Sequence, residues 1–202
     1  MRSFFLVLLF IYSCGVVKDY RDSNYFAKKI SLDDRLYYEE QKHLLQKPLP
    51  VFNAVTTEGD TITSQQLKGK RVFINLWFSK CGPCIAEIKH LNKLMEYYEG
   101  DVEFISMTYE QQAVVDSFIN KWDFKLPVIA DFENYYDSLC VGYPTSIFVD
   151  RRGYIQAIRG SVPLDFQTFM NIPPHDTIKG AFGVMADCMD PSIFYELIDA
   201  LE

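Results

Sequence analysis

The chain has little of what most catalytic and binding centres are built from. Its three histidines, His43, His90 and His175, are scattered, and neither a His-x-x-x-His nor a second Cys-x-x-Cys accompanies the single Cys-x-x-Cys. A four-ligand zinc site therefore lacks donors, and no metal is expected. There is no glycine-rich phosphate loop and no cluster of Lys and Arg, and the net charge is −7. Together these exclude nucleic acid as the natural partner and point to proteins instead. No repeat or low-complexity tract is present. The apolar run at residues 4–12, behind Arg2, is too short for a permanent membrane span and has the shape of a signal peptide.

Apolar residues are plentiful: 49% of the 202 residues are hydrophobic and 15% aromatic, enough for one good core. Residues 1–13 read as the signal peptide. Ile11-Tyr12-Ser13-Cys14-Gly15 resembles a bacterial lipoprotein cleavage site, so Cys14 is the expected lipidation site and membrane anchor. The plainer alternative is an ordinary secretory signal with an incidental cysteine. Residues 14–47 are highly charged, with Leu32, Leu36, Leu44 and Leu45 as a thin apolar set, and read as a tether holding one helix. Pro48 and Pro50 mark the start of a domain over 48–202.

Within that domain, residues 71–76 form a β-branched and aromatic run, and helical apolar spacing begins after Cys81-Gly82-Pro83-Cys84. The cysteine pair thus sits where a strand hands over to a helix. Unpaired N–H groups and a partial positive charge at a helix start stabilise a thiolate, which suits Cys81 for attack. Pro83 fits the first helical turn, where a missing donor costs nothing, and Gly82 leaves the approach open. Cys84 shares the apolar face of Ile88, Leu91 and Met95, so it is expected to point inward while Cys81 at the tip stays accessible. A disulfide closing so small a loop constrains the unfolded chain little, so redox work outweighs a structural role. Glu87, one turn beyond Cys84 and edging Leu91 and Leu94, reads equally as a partly desolvated proton acceptor for Cys84 and as a surface glutamate.

Residues 50–150 resemble the thioredoxin-like, membrane-tethered thiol:disulfide oxidoreductases of the TlpA/ResA group. The likeness rests on Pro50-Val51-Phe52 with Gly59, Leu67-Lys68-Gly69-Lys70, Asn75-Leu76-Trp77, Cys81-Gly82-Pro83-Cys84, Glu87 and Tyr143-Pro144-Thr145, in the family's order. Lys80 departs from the Trp usual before the first cysteine, and Lys89 stands where the family's Cys-x-x-Cys-x-x-Glu is usually followed by x-Pro. The resemblance implies a thioredoxin-like α/β fold, a Cys81–Cys84 redox couple with no bound cofactor, and a functional role for Glu87. It also implies a cis Pro144 facing the couple, with the Tyr143 backbone pairing with an extended substrate by strand addition. Trp77, Lys80, Gly82, Pro83, Tyr143 and Thr145 are the candidate groove residues, with a core aromatic and a solvated lysine as plain alternatives for Trp77 and Lys80. Expected partners are exported protein thiols and disulfides and a membrane electron donor, in a periplasm-facing setting, with cytochrome c maturation as one role of relatives. The alternatives are a thiol peroxidase, disfavoured because no Thr lies three residues before Cys81, and a non-catalytic envelope binding module.

Alternating strand and helix signals through residue 159 predict a parallel core with an antiparallel edge, helices on both faces and a hairpin turning at Arg152-Gly153. Residues 160–190 form an insertion before a last helix that starts at Pro191. Pro173-Pro174, Gly180 and Gly183 speak against a long regular element there, while Phe166, Phe169, Ile178, Phe182 and Met185 predict that it packs on the domain. With Cys14 lipidated and Cys81 paired with Cys84, Cys140 and Cys188 remain. An oxidising compartment makes them candidates for a bridge that pins the insertion; separate buried thiols are the alternative.

Overall fold

The run at 71–76 forms β3 (Arg71–Leu76) because it can bury both of its faces. Val72, Ile74 and Leu76 point into one apolar cluster, and Phe73 and Trp77 into the other. The computed structural model describes residues 41–133, 139, 142–163 and 178–202. Around β3 the sheet runs in the order β5-β4-β3-β6-β7, with β4 (Val102–Met107), β5 (Val128–Ile129), β6 (Thr145–Val149) and β7 (Ile155–Arg159). β3, β4 and β5 are mutually parallel, and β6 and β7 complete the sheet as antiparallel strands. This is the predicted mixed sheet. The β3–β6 register sets Asn75 opposite Ser146 and Leu76 opposite Thr145.

A two-stranded ribbon, β1 (Asn53–Val55) with β2 (Thr61–Thr63), precedes the sheet. The sequence reads as one strand from Val51 followed by a turn at residues 63–70, so the separate short strand β2 is an addition. Gly59 at φ +95° supplies the positive φ that lets the two short strands meet.

Helices α1 (Gly82–Tyr97), α2 (Gln112–Trp122), α3 (Ile178–Asp187) and α4 (Ser192–Asp199) pack with the cluster around Phe73 and Trp77. At its centre Phe73 lies 5.3 Å from the Phe104 and Phe148 rings and 5.9 Å from Phe194. The opposite face is covered by Phe52, Ala54, Leu67 and Leu139, with Leu44, Leu45 and Phe132 against them. Helical backbone at Gln41 and Glu133 adjoins that cover.

Two segments differ from expectation. Residues 41–47, allotted to the tether, pack on the domain: Gln46 N–H donates to Ile155 O at 2.8 Å and Ile155 N–H to Lys47 O at 2.9 Å. They cover an otherwise open edge where β7 begins. In the insertion, α3 runs through both Gly180 and Gly183. Each glycine costs a helix about 0.5–1 kcal/mol, an amount that packing of Phe182, Met185 and Ala186 against the α1 cluster can offset. Tertiary burial overrides local propensity here. Cys14 and Cys140 lie outside the described residues, as do the signal peptide and residues 14–40 of the tether.

Candidate active site

Cys81 is the N-cap of α1, with extended backbone at φ −78° and ψ 107°, and Pro83 lies in the first turn, as the sequence predicts. Cys81 and Cys84 are bonded to each other, with their Cα atoms 5.2 Å apart. The Cys84 N–H donates to Cys81 Sγ at 3.2 Å. When the bond is reduced, that N–H and the helix start are the groups that stabilise a thiolate on Cys81. The loop that delivers Cys81 is braced from β4's end by Glu110. Its two carboxylate oxygens accept from Ser79 N–H at 2.6 Å and Ser79 Oγ–H at 2.7 Å. Glu110 carries no sequence signal, because its partner lies 31 residues away.

One helical turn below Cys84, Glu87 is wholly buried at 0% exposure. Its surface alternative is therefore wrong, and desolvation is complete rather than partial. Asn75 Nδ2 donates to Oε1 at 3.0 Å and the Val162 N–H donates to Oε2 at 3.0 Å. Asn75 Nδ2 also lies 3.4 Å from Ser146 Oγ. Burial pushes the carboxyl up to about 8, against the pull of the two donors, which favour the charged form. A carboxyl in that range is close in pKa to an ordinary cysteine thiol.

The Tyr143–Pro144 bond is cis, as the resemblance implies. Tyr143 stands edge-on to Phe78 at 5.0 Å and 6.2 Å from Tyr109, and Phe78 lies 6.3 Å from Tyr109. These three rings form an aromatic rim that the sequence did not assemble. Lys80 is exposed in the turn before Cys81, and Pro83 is exposed on the first helical turn.

Two other groove candidates belong to the core. Trp77 is 1% exposed, stacks on Phe118 at 4.3 Å and donates from Nε1 to Ser106 Oγ at 2.8 Å. Thr145 is buried and donates from Oγ1 to Gly142 O at 2.7 Å, which fixes the turn before β6. Cys81 also departs from expectation. It is only 4% exposed, close to the 3% of Cys84, so position at the tip does not leave it open. Beside it, α3 comes close: Phe182 Cε1 lies 3.1 Å from where a Cβ on Gly82 would stand. Phe182 in turn meets Trp122 edge-on at 5.8 Å.

Cys188, just past α3, is buried with a free thiol, and the cysteine expected to bridge to it, Cys140, lies outside the described residues. His90 donates from Nε2 to Ala186 O at 2.7 Å, tying α1 to α3. Burial, more than any other effect, lowers its pKa. Among the described residues no three His, Cys, Asp or Glu side chains converge as metal ligands.

Residues 45–158 match the AhpC/TSA family. The chain is 32% identical to thiol-disulfide oxidoreductase ResA of Bacillus thuringiensis subsp. konkukian over 164 residues, covering 79% of this chain and 88% of the relative. It is 28% identical to the thioredoxin-like protein YneN of Bacillus subtilis, over 54% of this chain and 67% of that protein. Among solved structures it superposes on a DsbE-type thiol:disulfide interchange protein from Chlorobium tepidum with a TM-score of 0.55 at 17% identity, covering 69% of this chain and 98% of that one. The thioredoxin domain of a thiol-disulfide oxidoreductase from Bacteroides vulgatus gives a TM-score of 0.52 at 22% identity, over 57% and 89% of the two chains. These two structures share the fold seen here.

Proposed function

The chain belongs to the AhpC/TSA family, among its thioredoxin-like, ResA-type thiol-disulfide oxidoreductases, and from that premise we propose how its own residues exchange thiols for disulfides. Reduced Cys81 attacks a substrate disulfide: a bond forms between Cys81 Sγ and one substrate sulfur, the substrate S–S bond breaks, and the other substrate sulfur leaves as a thiolate that takes a proton. Glu87, as carboxylate, then accepts the Cys84 proton. Cys84 attacks Cys81 Sγ, releases the second substrate thiol and leaves the Cys81–Cys84 disulfide, so two electrons pass to the substrate. Run in reverse, the same steps oxidise a dithiol. The observation that carries this reading is the Cys81–Cys84 pair at the start of α1 with the buried Glu87 carboxyl one turn below it.

Substrates on this reading are exported proteins, met through the Tyr143-Pro144 backbone, Lys80 and Pro83, with a membrane electron donor restoring the dithiol. Supporting the envelope setting are the signal-like residues 1–13, Cys14 as a lipid anchor and the tether that follows. Cytochrome c maturation is one such role. Cys14→Ser should shift the protein from the membrane to the soluble fraction. The peroxidase alternative has less support, because Phe78 stands three residues before Cys81, where that chemistry uses Thr.

Insulin reduction driven by dithiothreitol tests the core of the proposal. Turnover by the wild type that vanishes in Cys81→Ser is the expected result. No turnover by the wild type would favour the binding module, and consumption of peroxide at comparable rates would favour the peroxidase.

A further inference from the structure

A thiolate that attacks Cys81 Sγ, or a disulfide that Cys81 attacks, has to reach that sulfur along the line of the bond being exchanged. Cys81 is 4% exposed, and the Phe182 ring of α3 lies against its neighbour Gly82, on the side a partner would approach. Among the described side chains, the contacts that hold α3 include the half-buried Phe182 ring against Gly82 and the edge of Trp122, Met185 and Ala186 against the cluster, the His90–Ala186 hydrogen bond, and a Lys89–Asp187 ion pair on the exposed rim. Gly82 has no side chain there, and the Phe182 ring lies against its backbone. A partner that brings its own apolar ring regains by burial what lifting α3 loses, whereas a small charged thiol regains nothing.

We propose that α3 occupies the seat where a substrate protein docks, and that Cys81 therefore selects protein cysteines flanked by an aromatic or large apolar residue, which takes the place of Phe182 against Gly82 and Trp122, over small polar thiols such as glutathione. The inference rests on Cys81 as the attacking sulfur and adds which partners reach it.

Two measurements on the mature chain test the selection. In the first, reduced wild type meets two symmetric peptide disulfides that differ only in carrying Phe or Ser beside the cysteine. In each, Cys81 Sγ bonds one peptide sulfur, the other leaves as a thiol, and Cys84 completes the transfer of two electrons. The Phe-flanked peptide should react about tenfold faster, a ratio equivalent to about 1.4 kcal/mol. Equal rates overturn the proposal, and this comparison needs no variant.

In the second, iodoacetamide alkylation of reduced Cys81, in which the thiolate displaces iodide, should be about tenfold faster in Phe182→Ala than in wild type. Phe182→Leu should fall between them. A rate within twofold of wild type, with far-ultraviolet circular dichroism and melting temperature unchanged, overturns the proposal. Insulin reduction separates this failure from failure of the underlying role of Cys81. Faster alkylation of Phe182→Ala beside a Cys81→Ser variant that still reduces insulin would sink Cys81 as the attacking sulfur and leave the cover standing. Normal insulin reduction lost in Cys81→Ser, with unaltered alkylation, would do the reverse.

Discussion

On its inner side the redox pair lies one helical turn from a carboxyl held by Asn75 and the Val162 N–H, wholly out of water. On its outer side the Phe182 ring lies against Gly82, on a helix whose described ties are apolar packing of Met185 and Ala186, a hydrogen bond from His90 and a solvent-exposed ion pair. The inner arrangement is polar and fixed by three segments that meet only in the folded chain: β3, α1 and the stretch after β7. The outer one is apolar, shallow and replaceable. The difference separates two tasks, proton handling where water is excluded and partner admission where a covering side chain can be exchanged for another.

The largest expected effect breaks the comparison at its meeting point. Cys81 and Cys84 are almost equally buried, so exposure alone does not divide their roles; position at the helix cap does. Cys84→Ser keeps the attacking thiol and removes the resolving one, so turnover should fall by orders of magnitude while mixed disulfides through Cys81 accumulate. Non-reducing gels of cell extracts show them as bands that collapse with dithiothreitol. Free protein alone, with Cys81 confirmed reduced and reactive, would contradict the division of labour.

Next in size is the pH dependence of the inner side. The Glu87 carboxyl titrates near 8 in the fold against 4.5 for an ordinary glutamate, so between those values the native state keeps a proton that the unfolded chain has released. Stability linked to this group is thus fully present below about 4.5, falls by up to about 1.4 kcal/mol per pH unit through the window and is level again above about 8. Glu87→Gln does not titrate and should lose that slope. It leaves either Asn75 or Val162 without its acceptor, at about 1 kcal/mol. Urea denaturation of both proteins across the window measures it. Release of the mixed disulfide should also slow near neutral pH in Glu87→Gln, and identical rates from about pH 6 to 9 would return Glu87 to a purely structural role.

Asn75→Ala sharpens the same side with a smaller change. Its amide donates to the charged form of Glu87, so its loss should move the rising limb of the pH–rate profile upward by about one pH unit. Burial, the larger cause of the shift, stays in place. A limb that moves down, or not at all, would mean that Asn75 does not tune the carboxyl.

The strand, loop and helix that carry the cysteines are legible in the sequence because their signals are local: a continuous apolar run, then Cys-Gly-Pro-Cys at a helix start. Glu87 is half legible. Its spacing from Cys84 is plain, but its burial depends on Val162, 75 positions on, which no periodicity reveals. Trp77 reads equally as a groove or a core residue until Ser106 is found as its partner, and Thr145, read as a groove residue, turns inward to Gly142. The outer side was illegible for a different reason. Gly180 and Gly183 argue locally against a helix, and only packing on α1 restores one, whose Phe182 ring then lies against Gly82, beside a cysteine expected to be open.

The smallest effect lies at the rim of the outer side. Lys89 and Asp187 pair across α1 and α3, with side chains 42% and 72% exposed. The hydrogen bond from Lys89, more than its charge, holds the Asp187 carboxyl below its usual range. A group depressed in this way contributes stability at neutral pH that is lost as the pH falls through its folded pKa, but solvent and salt screen so exposed a pair. Lys89→Ala should therefore stay within about 0.5 kcal/mol of wild type in urea denaturation. Alkylation of Cys81 in the variant should rise less than in Phe182→Ala. High salt should bring wild type and variant together, because salt screens the ion pair and leaves the Phe182 ring against Gly82 untouched. A variant as fast as Phe182→Ala would show that charge rather than the ring holds α3 down. The selection of apolar partners would then lose its physical basis.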